Sequence, residues 1–265
     1  MPKHPYSAIE NSQPGVVGCR IHYFEEVEST QNIARNLAAE GAPHGTTVIA
    51  ETQSAGRGRM GRGWHSPPGV NLYTTIILRP TIPMADVPRL SLVAGVAAAE
   101  ALEDVAPGIV QLKWPNDVWL NGRKAGGIIA EAVTNRAQRL DSVLLGIGLN
   151  LNLAADDVPA EIRDRAISVL IATGHRCDRV AVANSLFTRL NIWYDETVTR
   201  GFAVVRPHWE RYSALTGKRV TVVDAGTREE GIVTGIDSDG ALLLETSNGT
   251  RRIIAGDVTL EGAYS

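Results

Sequence analysis

The segment from Pro88 to Leu102 constrains the fold of this chain more than any other. It is rich in alanine and apolar around nearly the whole circumference of a helix, which is the pattern of a helix buried on most sides. Such a helix needs other elements packed around it. With 265 residues, of which 44% are hydrophobic and 21% charged, the chain can form one large domain, or a large and a small one.

Short strands are predicted on both sides of this helix in the sequence. Apolar and β-branched runs alternate with turn sequences such as Asn-Asp, Asn-Gly and Gly-Gly. Ser29 or Thr30 can cap an early helix, which ends at Gly41. The predicted strands lie at 21–26, 46–50, 72–78, 111–114, 118–120, 127–133 and 143–150. We therefore expect an α+β unit with a mixed central β-sheet.

The pattern of predicted elements changes in the last third of the sequence, from helices to short strands. A helix is predicted from Asp178 to about Val198 and another over 202–214. Four short strands follow, with the spacing of a small antiparallel barrel. We predict three parts: a flexible N-terminal lead-in over 1–19, a catalytic domain over 20–215 and a small C-terminal antiparallel β-barrel domain over 216–265.

Charge and cysteine content exclude several classes of protein. The 26 basic and 29 acidic residues give a formal charge of −3, so no global cationic field would gather nucleic acid or anionic lipid. Cys19 and Cys177 are too few for a disulfide framework and lack a metal-binding spacing. We find no signal-peptide pattern and no apolar run long enough for a spanning helix. A cytoplasmic protein without a membrane partner is predicted.

The segment from Gly56 to Trp64 is the strongest candidate for a ligand-binding loop. It contains four glycines and three arginines within residues 56–63. Glycine lets the backbone approach a ligand closely, and arginine binds phosphate or carboxylate oxygens in pairs, so the loop is predicted to grip an anion. Two other interpretations stay open here: a solvated basic loop and a contact with single-stranded nucleic acid. No GxxxxGK[ST] motif occurs, so this is not a P-loop.

Three later segments carry further polar or cationic groups. Asn116 and Asp117 follow Pro115; such a pair is most often only a turn, although Asp is also a usual Mg²⁺ ligand beside substrate phosphates. Lys124 precedes a glycine pair and is either a solvated hairpin-end lysine or a cation beside exposed backbone amides. Asn150 ends a GxGxN sequence whose glycines expose backbone. Each motif alone is weak.

In this order, these segments resemble the biotin protein ligases, also called biotin–[acetyl-CoA-carboxylase] ligases, over about residues 20–262. The resemblance implies a fold similar to class II aminoacyl-tRNA synthetases and biotin synthetase, followed by a small barrel. It also implies that biotin and MgATP form biotinyl-5′-AMP and that biotin then passes to a lysine of a biotin carboxyl carrier protein domain. The motifs that carry it are Ser29-Thr30-Gln31, Glu51 to Trp64, Lys113 to Asp117, Arg123 to Gly127 and Gly146 to Asn150.

The resemblance further implies roles for individual residues. Biotin would be bound by Ser29, Thr30, Gln31, Gln53, Arg57, Gly58, Arg59, Lys124 and Gly127. ATP would be bound by Arg62, Trp64, Asn116, Asp117, Lys124 and Asn150, and Mg²⁺ by Asp117 or Asn116. The catalytic residues would be Lys124, Arg59 and Arg57. A carboxylate is already a nucleophile, so catalysis would rest on positioning and cationic stabilisation rather than on a general base.

Two departures and several alternatives accompany this interpretation. Gln31 stands where relatives commonly have asparagine, so Asn32 can take over its contact. The catalytic pattern starts near residue 20, without a preceding helix-turn-helix domain, so we predict a monofunctional ligase without a DNA partner. A lipoate-protein ligase and a non-catalytic nucleotide- or RNA-binding module stay open as other functions. Sheet edges can pair or remain free, which leaves a homodimer open.

Overall fold

The larger of two sheets in this protein has seven strands and one parallel pair. The computed structural model describes residues 4–13, 15–224 and 226–260. The strands are β1 (Ile21–Val27), β2 (Thr47–Gln53), β3 (Leu72–Leu78), β4 (Val110–Lys113), β5 (Asp117–Leu120), β6 (Arg123–Thr134) and β7 (Leu140–Leu149). Their order is β1-β2-β3-β7-β6-β5-β4, with β1 parallel to β2 and the other neighbours antiparallel. The predicted mixed sheet is confirmed.

The apolar helix predicted from Pro88 to Leu102 is α2 (Arg89–Glu103). Twelve of its 15 residues are buried, because it packs between the sheet strands β4 to β6 and the long helix α4 (Arg179–Arg200). Two shorter helices lie near α4 in sequence, α3 (Val169–Thr173) and α5 (Arg206–Arg211). The prediction of a helix over 202–214 was too long: a 3-10 turn at Phe202–Val204 precedes α5, and Pro207 lies in the first turn of α5, a position where proline is tolerated.

Helix α1 (Thr30–Ala39) carries the first predicted site residues and is fixed at both ends. Its last turn ends at Gly41, with φ +86°, as predicted. Arg79 holds that end, donating to the carbonyl oxygens of Ala38 at 2.9 Å and Ala42 at 3.0 Å. At the start, Ser29 occupies the N-cap position but makes no side-chain capping bond. The amide oxygen of Gln53 accepts from the Thr30 N–H at 2.9 Å instead.

The C-terminal part forms a five-stranded antiparallel sheet rather than the predicted closed barrel. Its strands are β8 (Arg219–Asp224), β9 (Thr227–Ile236), β10 (Leu242–Thr246), β11 (Gly249–Ile253) and β12 (Asp257–Leu260), in the order β11-β10-β9-β8-β12. Within the described residues, β11 and β12 form opposite edges and do not pair, so the sheet stays open. Strand β12 was absent from the prediction, because four residues flanked by Gly256 carry too little alternation to be recognised.

The two sheets are joined through the edge of the first. The Leu112 N–H donates to the Tyr212 carbonyl at 2.7 Å, and the Ala214 N–H donates to the Leu112 carbonyl at 2.8 Å. The segment leading to the second sheet thus lies along β4 as an extra pairing partner. The buried Trp114 indole N–H donates to the Gly240 carbonyl, in the β9–β10 turn, at 3.0 Å.

The N-terminal segment was predicted to be a flexible lead-in, but its described part packs on the core. Tyr6, Ile9 and Val17 are at most 2% exposed. Asn191 of α4 brackets Val17, accepting from its N–H at 3.0 Å and donating to its carbonyl at 3.1 Å. The sequence did not indicate this packing, because three separated apolar residues among Pro, Ser and Asn show no periodicity.

Candidate active site

A pocket of about 480 Å³, including its opening to solvent, lies on the face of the large sheet near the start of α1. Its floor comes from β3, β6 and β7, and its walls come from α1, the Gly/Arg loop and the turn before β5. Of the residues predicted from the sequence, it brings together Ser29, Thr30, Gln31, Gln53, Arg57, Gly58, Arg59, Trp64, Asn116, Lys124 and Gly127. Segments separated by about a hundred residues in sequence therefore meet at one place.

Ser29 and Gln31 present polar atoms to this pocket that have no protein partner. The side chains are nearly buried, with 1% and 5% exposure. The Ser29 hydroxyl oxygen and both amide atoms of Gln31 lack a hydrogen bond in the described part of the protein. A buried polar group without a partner costs on the order of 1–3 kcal/mol. A ligand that supplies both donors and acceptors to these atoms would remove that cost and bind more tightly.

Thr30 and Gln53 are instead engaged in a hydrogen-bond chain within the protein. Thr75 donates to the Thr30 hydroxyl at 2.9 Å, and Thr30 donates to the Gln53 amide oxygen at 3.2 Å. The Gln53 amide nitrogen then donates to the Ser66 hydroxyl at 3.0 Å, which donates to the Trp64 carbonyl at 3.1 Å. This chain connects the start of α1 to the end of the Gly/Arg loop.

The Trp64 indole lies flat against two glycines of the sheet. A Cβ atom on Gly148 would stand 2.8 Å from Cε2 and Nε1 of the ring, and one on Gly127 would stand 3.2 Å from Cζ3. The Lys124 ammonium lies 5.5 Å from the ring centroid, within the range of a cation–π contact. The ring nitrogen is buried without a partner in the described part of the chain. Glycine at these positions is therefore needed for Trp64 to form one wall of the pocket.

The Gly/Arg loop is folded back on itself by backbone hydrogen bonds. Trp64 donates to the Gly56 carbonyl at 2.9 Å, and Gly58 donates to the Arg62 carbonyl at 2.6 Å. Met60 lies at the tip with φ +56°, a left-handed conformation that is uncommon for a residue with a side chain. It is 79% exposed. The loop is thus a small hairpin rather than an extended basic segment.

Each arginine of this loop is attached to a different element of the protein. Arg57 donates to the Asn32 amide oxygen in the first turn of α1. Arg59 donates to the Asn116 amide oxygen at 2.8 Å, in the turn between β4 and β5. Arg62 forms an ion pair with Asp257 of β12 at 2.8 Å, and both side chains are largely solvent-exposed. Arg62 therefore lies outside the pocket, whereas Arg57 and Arg59 line it.

Lys124 and Asp117 form an ion pair at the rim, with 2.6 Å between Nζ and Oδ1. Asn116 is held in place on β6: its amide donates to the Ile128 carbonyl at 2.9 Å, and its carbonyl accepts from the Ile128 N–H at 2.9 Å. Its amide oxygen accepts from Arg59, and its predicted role as a metal ligand stays a prediction. Asp117 does not itself line the pocket.

Lys113 adds a cation that was not singled out from the sequence. Its ammonium lies 5.1 Å from the centroid of the Trp119 ring. Burial lowers the pKa of Lys113; Asp117 and Asp257 oppose that shift, while Lys124 and Arg62 add to it. The region between the pocket and the C-terminal sheet is therefore rich in closely spaced charges of both signs.

Asn150 is buried outside the pocket lining, and its predicted contact with ATP stays a prediction. Its side-chain amide donates to the Ile167 carbonyl at 3.1 Å, and its N–H donates to the Ala125 carbonyl at 2.7 Å. Sequence reasoning missed the pocket residues of β3 (Tyr73, Thr74 and Thr75) and the contact between Gly146 and Gln31. The polar TyrThrThr triplet inside an apolar strand was the signal that could have revealed them.

Together, the fold and the pocket define an α+β protein that binds a small polar molecule beside a cationic rim. The family model described as the biotin/lipoate A/B protein ligase family matches residues 23–150, and the model of the biotin protein ligase C-terminal domain matches residues 215–260. The bifunctional ligase/repressor BirA of Bacillus subtilis is 38% identical over 245 residues, which cover 92% of this chain and 75% of the relative. The chain belongs to the biotin protein ligase family.

Further similarities extend over nearly the whole chain. The biotin–[acetyl-CoA-carboxylase] ligase of Paracoccus denitrificans is 35% identical over 238 residues, covering 89% of this chain and 98% of the relative. The structure of the Aquifex aeolicus biotin protein ligase in complex with biotin and ATP superposes with a TM-score of 0.81 at 30% identity, covering 91% of this chain and 98% of that one. The Leishmania major enzyme with biotinyl-5-AMP has a TM-score of 0.60 at 27% identity, covering 89% and 99%.

The described residues lack two further features. They contain no cluster of three or more His, Cys, Asp or Glu side chains that could hold a metal ion. They also contain no helix that is both long and apolar enough to cross a membrane.

Proposed function

We propose that this protein activates biotin with ATP to form biotinyl-5′-AMP and pyrophosphate, and then transfers biotin to a lysine of a biotin carboxyl carrier protein domain. The family membership supports the reaction class, and the names of the relatives from Paracoccus and Aquifex supply the substrates. The match of residues 215–260 to a domain specific to biotin protein ligases favours biotin over lipoate.

The observation that carries the proposal is the set of unpaired buried polar atoms on Ser29 and Gln31 beside a cationic rim. The ureido group of biotin is a flat array of two donors and one acceptor, which complements a hydroxyl and a carboxamide that lack partners. The valeryl carboxylate at the other end of biotin would meet Arg57, Arg59 or Lys124. A pocket that is polar at one end and cationic at the other fits this molecule.

In the first step, a carboxylate oxygen of biotin attacks the α-phosphorus of ATP. A phosphorus–oxygen bond forms, the bond between the α-phosphorus and the bridging oxygen to the β-phosphate breaks, and pyrophosphate leaves. No proton is transferred, so no general base is needed. Arg59 and Lys124 lower the repulsion between the two anions, which is electrostatic stabilisation by groups already in place.

Mg²⁺ would arrive with the phosphates of ATP rather than occupy a site built by the protein alone. Magnesium commonly binds one or two carboxylates together with substrate phosphates and waters. The Asp117 carboxylate pairs with Lys124 through Oδ1, which leaves Oδ2 outside that ion pair. Asp117 is therefore the residue that would hold the ion, which would supply further neutralisation of phosphate charge.

In the second step, the amine nitrogen of the carrier lysine attacks the acyl carbon of biotinyl-5′-AMP. An amide bond forms, the bond from the acyl carbon to the phosphate oxygen breaks, AMP leaves and the surplus amine proton passes to solvent. The Gly/Arg loop folds beside the pocket, so Arg59 and Trp64 would limit access of water to the mixed anhydride. The predicted absence of a DNA partner, the cytoplasmic location and the oligomeric state stay predictions.

Biotin-dependent exchange of labelled pyrophosphate into ATP tests the proposal directly. We expect exchange with biotin and MgATP, and little exchange when lipoate replaces biotin. A protein that exchanges with lipoate alone would be a lipoate ligase. A protein that shows no exchange with either acid, but binds single-stranded RNA with a steep salt dependence, would be a binding module.

A further inference from the structure

Asn32 lies in the first turn of α1 directly after Gln31, yet its side chain does not line the pocket. It lies between a carboxylate and a guanidinium. Its amide nitrogen donates to Oε2 of Glu28 at 2.8 Å, and its amide oxygen accepts from Nη2 of Arg57. The side chain therefore links a residue just before the helix to the first arginine of the Gly/Arg loop.

Glu28 determines which end of the Asn32 amide faces the loop. With the amide rotated by 180°, its oxygen would face the carboxylate and its nitrogen would face the guanidinium, and neither contact could form a hydrogen bond. The observed orientation satisfies both neighbours, and both bonds involve a charged group, which strengthens them. Glu28 thus keeps an acceptor pointed at Arg57.

The bond from Arg57 to Asn32 ties the first strand of the loop hairpin to α1. Arg57 pairs with Gly63 across the hairpin, next to the bond from Gly58 to Arg62. Among the hydrogen bonds of the three loop arginines in the described structure, the one from Arg57 is the one that reaches α1. The start of α1, with its N-cap Ser29, therefore carries the unpaired polar groups of one pocket wall and the anchor for the Gly/Arg loop, which forms another wall.

We propose that Asn32 is a positioning residue that holds Arg57 at the pocket before any ligand arrives, with Glu28 orienting it. The identity of the ligand held between the two walls rests on the proposed function, whereas the attachment of the loop does not. Pre-organisation of this kind lowers the ordering cost that a ligand would otherwise have to overcome on binding. The loss of Asn32 should weaken the binding of biotin without weakening that of ATP.

The test compares Asn32→Ala with the double variant Glu28→Gln/Asn32→Asp, which exchanges the two functional groups. In the double variant, the carboxamide introduced at position 28 donates to the carboxylate introduced at position 32. That carboxylate also accepts from Arg57, so both bonds are rebuilt. Asn36→Ala is the matched control, because Asn36 is an exposed residue one turn further along α1. Alanine is the better helix former, so neither alanine variant should weaken the helix itself.

Two measurements are made on each variant. Hydrogen exchange of the backbone amides of residues 56–64, followed by mass spectrometry without ligands, reports the attachment of the loop. Pyrophosphate exchange gives KM for biotin and for ATP. We expect Asn32→Ala to accelerate amide exchange and raise KM for biotin by about 3- to 10-fold, with KM for ATP unchanged, because one charge-assisted bond at a partly exposed site is lost. The double variant should recover most of both effects.

Wild-type amide exchange in Asn32→Ala, or no recovery in the double variant, overturns the proposal. An equal rise in both KM values also overturns it, since that indicates general damage to the site. If the wild-type protein shows no biotin-dependent exchange, the proposed function fails, but the amide-exchange measurement still decides whether Asn32 holds the loop.

Discussion

Replacing Gly148 by alanine should displace Trp64 from the pocket wall. The added Cβ would lie 2.8 Å from Cε2 and Nε1 of the indole and 3.0 Å from Cζ2. Carbon atoms in favourable contact are about 3.5–4.0 Å apart, so the ring has to move by roughly 0.7 Å or more. Overpacking of this size typically costs about 1–3 kcal/mol. Three atoms of the Trp64 ring lie within 3.0 Å of the added methyl group, so the ring as a whole has to shift.

We expect the cost to appear mainly as weaker binding of biotin, by about 5- to 150-fold, because the affected atoms belong to the pocket rather than to the core. Calorimetric titration with biotin would measure the affinity, and the difference in tryptophan fluorescence between Gly148→Ala and wild type would report the displacement of Trp64. Gly95→Ala, inside α2, is a matched control, because its Cβ would lie 3.6 Å from Leu112 of β4, an ordinary van der Waals distance. That variant should keep its affinity and gain up to about 1 kcal/mol of stability, since alanine favours a helix. Wild-type affinity for biotin in Gly148→Ala would refute the role assigned to the Trp64 platform.

Three further predictions concern charge. Lys124→Ala should reduce pyrophosphate exchange by at least about 100-fold, because a cation beside the reacting anions is lost; exchange near the wild-type rate would remove Lys124 from the catalytic set. Arg179→Met should lower the free energy of unfolding by about 3 kcal/mol in urea titrations, because Glu51, in a side-chain ion pair at 2.9 Å with only 10% exposure, would be left unpaired. Burial lowers the pKa of Lys113. Between this lowered pKa and about 10.5, the folded state therefore binds fewer protons than the unfolded state. The free energy of unfolding contributed by this site rises with pH over that range. Lys113→Met should therefore stabilise the protein at neutral pH, with a gain that shrinks as the pH approaches 10.5 in thermal unfolding.

Much of the fold was predictable because its signals are local. The apolar circumference of α2, the Asp178 cap of α4 and the Gly41 end of α1 each depend on consecutive residues. The Asp178 carboxylate accepts from the Val180 N–H at 2.8 Å, as its position before the helix predicts. Whether a sheet is open or closes into a barrel depends, in contrast, on whether its two edge strands pair. These strands are far apart in the sequence, so no local pattern indicates whether they pair. The barrel prediction was wrong for this reason.

The grouping of the site residues was predictable from the sequence, whereas their hydrogen-bond partners within the protein were not. Glycines, arginines and Lys124 do gather at one pocket. Yet Asn116, Gln53 and Asn150 use their amide groups to bind other parts of the protein. Whether an amide faces a ligand or a neighbouring carbonyl depends on tertiary contacts that lie dozens of residues away. Asn32 is the opposite case: no sequence motif indicates that it positions Arg57, and only the tertiary structure brings the two residues together.

The strand-like run of residues 212–214 along β4 has a consequence for protein engineering. A truncation that removes the chain from residue 215 onward would follow the start of the matching C-terminal domain model. The cut would lie directly after the segment that hydrogen-bonds to Leu112 at the outer edge of the large sheet. The same truncation would leave the Trp114 indole N–H without its acceptor and would expose apolar surface around it. The two sheets should therefore unfold in one transition. Versions shortened at this point should therefore be less stable than the full chain, because the second sheet no longer covers the apolar surface around Trp114.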